Sequence, residues 1–179
     1  MIKMIKKNLL KNGYHIFPDA YDSRQIAYVV NELNRLQVRR TPLNEKNQSV
    51  WWDEINIPQS THLAEIILDN SIRDQIEAEF CLIQEAVFWA NRYRAGEYIP
   101  KHCDTQGDLQ IILSVMIPPP NCGGNLLIYH QNTVNSVSQL PGQRLLFQAT
   151  KTPHETTVLT NSPECENPMR IVCIGRIFF

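Results

Sequence analysis

Hydrophobic positions follow two periods along this chain, and the change from one to the other divides it. From Ile26 the apolar residues Ile26, Val29, Val30, Leu33 and Leu36 recur at the i, i+3, i+4, i+7 spacing of a one-sided helix. Asp22 and Ser23 can cap it, and Gln25 stands three residues after Asp22, as in a capping box. A second helical stretch starts at Ser60 or Thr61 and runs through Leu63, Ile66 and Ile67. Asn70-Ser71 interrupts it before Ile72, Ile76 and Phe80 continue the stripe. Ahead of both, Asn12-Gly13 marks a turn, and residues 14–17 read as a short strand stopped by Pro18. Residues 39–59 are polar and turn-forming, broken only by Val50-Trp51-Trp52-Asp53-Glu54, and read as a long loop. Its two tryptophans either line a pocket or seal one end of the core.

From Cys81 onward no helical period survives. Short runs rich in Ile, Val, Leu, Phe and Tyr are separated by Gly, Pro, Asn and Asp. Candidate strands cover residues 83–94, 109–117, 125–129, 134–139, 144–148, 154–159 and 170–178. A helical front end followed by regular short strands predicts an α+β chain, mainly β, with a sandwich or jelly-roll core. The helices need that sheet to bury their stripes. The chain therefore reads as one domain over 1–179, with a helical part to about residue 80 and a β core from about 81.

Bulk properties narrow the function classes. With 179 residues, 43% hydrophobic and 20% charged, this is the composition of a globular domain with a sizeable core. A formal net charge of -1 argues against a dedicated nucleic-acid surface. The longest apolar runs, such as 111–118, are too short to cross a bilayer. Met1 to Asn12 carries lysines but neither an apolar core nor a small-residue cleavage site, so it does not read as a signal peptide. Five cysteines without paired C-x-x-C spacing read as free thiols, and the expected location is the cytoplasm.

The candidate chemistry centres on residues 91–104, N-R-Y-R-A-G-E-Y-I-P-K-H-C-D. On an extended backbone His102 and Asp104 share a face while Cys103 turns away, most simply as a small buried hydrophobe. One imidazole and one carboxylate are two thirds of the facial triad that holds non-haem Fe(II) with open positions. The best second histidine is His154, in Pro153-His154-Glu155, with His130 the substitute. Arg170 opens the last strand and can grip a carboxylate with its planar fork; Arg176, of the same parity, is its rival.

The ordered blocks N-x-Y-x-x-G-x-x-I-x-x-H-x-D, P-x-x-C-G-G-N-L, L-P-G-x-x-L-L-F, P-H-x-x-x-x-V and M-R-I, spread over about half the chain, resemble the Fe(II)/2-oxoglutarate-dependent dioxygenases, most closely their prolyl-hydroxylase-like branch. Asn125 departs from the glutamate often found in the family's G-G-x-L turn. The resemblance implies a double-stranded β-helix with the N-terminal helices packed on one sheet. It implies His102, Asp104 and His154 as iron ligands, Arg170 as partner of the distal carboxylate of 2-oxoglutarate, and Tyr93 as a hydrogen-bonding neighbour of that co-substrate. Fe(II), 2-oxoglutarate and O2 would be the cofactors, and hydroxylation of an unactivated C–H with release of succinate and CO2 the reaction. An acid at position 104 favours hydroxylation over halogenation. Trp51, Trp52, Asp53 and Arg94 are the candidate substrate contacts, with Glu54 in the same stretch; the two acids can meet an amine, and Arg92 or Arg94 a carboxylate. The expected partner is a small molecule, a free amino acid or natural-product intermediate; the alternatives are a prolyl-type peptide side chain and a non-catalytic jelly-roll binding module.

Overall fold

Asp22 accepts hydrogen bonds from the backbone N–H groups of Arg24 and Gln25, both at 2.9 Å, and the Gln25 side chain accepts from the Asp22 backbone at 2.9 Å. This reciprocal cap starts helix α2 (Ser23–Leu33), whose Val29 and Leu33 are buried. Thr61 precedes α3 (His62–Ile67), and Asp69 caps α4 (Asn70–Glu79) at the break expected there. A further helix, α1 (Met4–Asn12), buries only Ile5 and Leu9, too few positions to show as a stripe in a lysine-rich sequence. The computed structural model describes residues 4–44, 47–163 and 165–179, with the backbone course alone for 42–44, 47–51 and Pro120.

Among the described residues eleven strands form two antiparallel sheets. They are β1 (Tyr14–Ile16), β2 (Val38–Asn44), β3 (Asn47–Ile57), β4 (Glu85–Arg94), β5 (Ile99–His102), β6 (Leu109–Met116), β7 (Leu126–His130), β8 (Thr133–Val137), β9 (Arg144–Phe147), β10 (His154–Thr156) and β11 (Met169–Phe178). The larger sheet runs β1-β9-β6-β11-β4-β3-β2 and the smaller β5-β10-β7-β8. The fold is a jelly roll, with the helices against the larger sheet: α3 meets β6 and β11, and α2 meets β6. Strand β6 is buried at seven successive positions because helices cover one face and the smaller sheet lies over the other, which is why it reads as an unbroken apolar run.

The stretch expected as a loop over 39–59 is instead largely strand: β2 and β3 pair with each other, and β3 extends the larger sheet by pairing with β4, Ile55 opposite Ala90 and Ile57 opposite Phe88. The alternation in β3 is real but camouflaged: Asp53 occupies an inward position beside Ile55 and Ile57.

The Gly123-Gly124 turn places β7 against the chain that follows β10. Gly123 adopts φ 70°, ψ -150°, a region open in practice only to glycine, and a β-carbon there would lie 1.9 Å from the Val158 carbonyl oxygen. Gly123→Ala is expected to destabilise the fold by roughly 2 kcal/mol or more, from left-handed strain plus a backbone clash. A thermal melt lowered by at least about 4 °C checks this; an unchanged melt would show that the turn relaxes freely.

Candidate active site

Two histidines 52 positions apart in sequence become direct neighbours because β5 and β10 pair with His102 opposite His154. Their rings lie 4.3 Å apart. Each ring is aimed by the same local device. Nδ1–H of His102 donates to the Pro100 carbonyl at 2.8 Å, and Nδ1–H of His154 to the Thr152 carbonyl at 3.0 Å. That fixes Nδ1 as the donor in each ring and leaves the two Nε2 atoms as the ones that can bind a cation, the arrangement typical of metal-binding histidines. Asp104 follows β5 directly, its backbone N–H bonded to the Ala149 carbonyl at 3.0 Å, and its carboxylate stands 3.4 Å from His102 Nε2. One ligand atom from each of His102, Asp104 and His154 can be chosen with all three within 4.8 Å of one another.

The charges around this triad are graded. For His102, the bond to Asp104 raises the pKa, outweighing burial, which lowers it. Burial holds the His154 ring below the usual histidine value. Burial pushes the Asp104 carboxyl up, but the His102 hydrogen bond and the charge of Arg176 reverse the shift and hold it below its ordinary value. Arg176 donates to Asp104 at 2.7 Å and lies over the Trp89 ring at 5.0 Å.

Arg170 is different. It is only 2% exposed, lies 5.6 Å over the Tyr93 ring, and has no hydrogen bond or ion pair among the described residues. Burial lowers its pKa with little to counter it. A buried guanidinium without a counter-charge is costly, and a carboxylate entering beside it relieves the cost. Across the β4–β11 ladder Arg170 stands opposite Tyr93, whose hydroxyl accepts a 3.0 Å bond from Asn91 Nδ2.

Triad, Arg170 and Tyr93 all line one cavity of about 640 Å3 between the sheets. Its far wall is the larger sheet, including Trp52 and Glu54 from β3, Asn91 from β4 and Arg176 from β11. Asp53 and Arg94, expected as substrate contacts, are on the other face. Asp53 sits at the centre of a cluster, bonded to Arg92 at 2.8 Å, Arg94 at 2.8 Å and Arg40 at 2.9 Å, while Arg40 also pairs with Glu97. Parity explains the placement, since 52, 54 and 56 face the cavity and 53, 55 and 57 face away. The side chain of Trp51 lies outside the described ones. Cys103 is exposed rather than buried, because it follows an edge strand whose outer side is solvent. His130 bonds through Nε2 to the Leu10 carbonyl at 2.9 Å and takes no part in the cavity wall. Glu54, named in the sequence beside Asp53, is on the wall, whereas Asn91 and Trp89 escaped sequence reasoning; the alternation that would have revealed them needs the parity of β4, which comes only from pairing.

The Asp53 cluster ties the β2–β3 pair to β4 and to the turn that leads into β5. Burial pushes the Asp53 carboxyl up, but hydrogen bonds from Arg92 and Arg40 hold it below its ordinary value. Its contribution is thus intact above the ordinary carboxylate pKa and fades as pH falls through the lowered one. Asp53→Asn is expected to lose about 1–3 kcal/mol at pH 7, since the partner arginines are partly solvated. Urea titrations should show the deficit at neutral pH and its shrinkage in strong acid; a pH-independent deficit would assign it to packing instead.

No family model matches the sequence, and no curated protein sequence does. Solved structures do. A prolyl-4-hydroxylase from Pseudomonas putida aligns over 98% of this chain and 97% of its own, with a TM-score of 0.79 and 14% identity. The fold is that of the 2-oxoglutarate–iron(II) oxygenases. A Trichoplax adhaerens prolyl hydroxylase, solved with a hypoxia inducible factor oxygen degradation domain peptide, matches this oxygenase fold over 98% of the chain and 87% of its own (TM-score 0.74, 18% identity). The non-heme alpha ketoglutarate dependent epimerase SnoN of nogalamycin biosynthesis matches over 96% and 79% (TM-score 0.73, 13% identity).

Proposed function

We propose that this protein is an Fe(II)- and 2-oxoglutarate-dependent dioxygenase that hydroxylates an unactivated C–H bond of a small molecule, a free amino acid or natural-product intermediate, with release of succinate and CO2. The observation that carries the proposal is the convergence of His102, Asp104 and His154 on a cavity that also holds Arg170, buried without a counter-charge among the described residues. The donor set fits the metal: two imidazoles whose Nδ1 is spent on a carbonyl, leaving Nε2 as the ligand atom, and one carboxylate on the same cavity. When bound, iron and 2-oxoglutarate supply the oxidative chemistry with O2.

The chain's own residues do the rest. Arg170 takes the distal carboxylate of 2-oxoglutarate and so sets the position of its other end, with the Tyr93 hydroxyl alongside. Pro100 and Thr152, through their carbonyls, hold the two imidazoles at a fixed angle. Arg176 keeps Asp104 ionised and oriented. The apolar walls from β6 and β11 exclude water from the reacting region. We place the whole chain in one domain acting in the cytoplasm, where its five free thiols stay reduced.

A prolyl side chain of a peptide is the second reading, favoured by the names of the Pseudomonas and Trichoplax neighbours. Adding Fe(II) and 2-oxoglutarate anaerobically to the protein is expected to give a weak visible metal-to-ligand charge-transfer band. Succinate release, screened over free amino acids and then peptides, separates the two substrate classes. A wild-type protein without the band would end the oxygenase reading.

A further inference from the structure

The larger-sheet wall of the cavity carries a charge that the proposed chemistry leaves unused. Among the described residues four charged side chains line the cavity: Glu54, Asp104, Arg170 and Arg176. Under the oxygenase reading, on which this inference rests, Asp104 faces the metal and Arg170 the co-substrate, and Arg176 is already bonded to Asp104. Glu54 is left over, with no hydrogen bond or ion pair among the described residues.

A second group points to the same ligand. Asn91 stands directly opposite Glu54 in the β3–β4 ladder, so their β-carbons are about 5 Å apart on the cavity face. It is 5% exposed, and its Nδ2 is spent on the Tyr93 hydroxyl. Its Oδ1 is buried with no partner among the described residues. Two carboxylate oxygens and one amide oxygen thus share this face without a hydrogen-bond partner among the described residues; Arg39, opposite Glu54 in the β2–β3 ladder, makes no ion pair with it. A buried acceptor left unmade is costly, so the pair asks for a donor-rich cation. A primary ammonium brings three N–H groups and one positive charge to three acceptors. Trp52, two residues before Glu54 on the same face, adds an indole for the carbon next to that nitrogen, with a buried Nε1–H of its own that lacks an acceptor.

We propose that Glu54 and Asn91 form a specificity site for a primary ammonium group, so that the substrate is an amine-bearing molecule held by its nitrogen on the β3–β4 wall. Neither the neutral ring of a prolyl residue nor a carboxylate-only substrate would satisfy these two acceptors.

The test uses the metal-free full chain and reads tryptophan fluorescence during titration with n-pentylammonium, with 1-pentanol as neutral control. A saturable change with the ammonium and none with the alcohol at the same concentration is expected. Glu54→Gln, nearly isosteric at a position without internal partners, should weaken ammonium binding at least about tenfold with an unchanged melting temperature. Glu54→Asp should keep the preference for the cation. Equal response to both probes, no response to either, or full affinity in Glu54→Gln would overturn the proposal. The charge-transfer band separates the two claims. A band without ammonium preference sinks this inference alone, and ammonium preference without a band sinks the oxygenase reading.

Discussion

Replacing His154 with alanine is expected to abolish the Fe(II)/2-oxoglutarate absorption band and 2-oxoglutarate turnover, while His130→Ala leaves both intact. Altering a group that merely supports a metal ligand costs about 10- to 100-fold in metal affinity or activity. Deleting the ligand itself should therefore exceed about a hundredfold. His154 is 5% exposed and packs edge-on against Phe147 at 4.8 Å, so some stability is lost too. The spectrum and a melting curve recorded together keep the two effects apart: a folded variant without the band is the expected result. His130 sits at the far end of β7 holding the Leu10 carbonyl, where truncation touches the seam to α1 and not the cavity. A band that survives in His154→Ala would remove the histidine from the metal.

Arg170→Ala should raise the apparent KM for 2-oxoglutarate by roughly 30-fold to several thousand-fold. Truncating one partner of a buried hydrogen-bonded charge pair costs about 2–5 kcal/mol, and each 1.4 kcal/mol is a factor of ten. Arg170→Lys should recover only part of the loss, because an ammonium cannot make the paired contacts of the planar fork. A second consequence runs the other way. Without ligand Arg170 is a buried charge with no partner among the described residues, so Arg170→Met, which keeps the volume and drops the charge, should melt higher than wild type in the absence of 2-oxoglutarate. In saturating 2-oxoglutarate the order should reverse, since only wild type gains from binding. An unchanged KM in Arg170→Ala would move the anchor to Arg176, whose present partners are Asp104 and Gln110.

The two predictions rest on residues legible in the sequence for different reasons. His102 and Asp104 are two apart on extended chain, so local geometry alone puts them on one side. The capping box of Asp22 and Gln25, the break at Asn70 and the seven core strands were equally local, and the helices and strands formed within a few residues of the positions their patterns marked. Arg170 and His154 were singled out by the order of motif blocks, not by any local signal. What brings them to the cavity is pairing: His154 opposite His102, and Arg170 opposite Tyr93.

The β2–β3 pair marks the other limit. Its residues carry charges at inward positions, tolerable only because Asp53 meets three arginines drawn from two other strands. No pattern of single residues can announce such compensation, and the stretch reads as a loop. The same ignorance of parity leaves Asp53 and Glu54 equal as acids facing substrate, when Glu54 is the one on the cavity wall. In a strand each side chain's direction is fixed relative to the next by the backbone, and this the sequence determined. Which of the two faces meets the cavity is set by hydrogen bonds to a strand far away in the chain, and that only the tertiary structure decided.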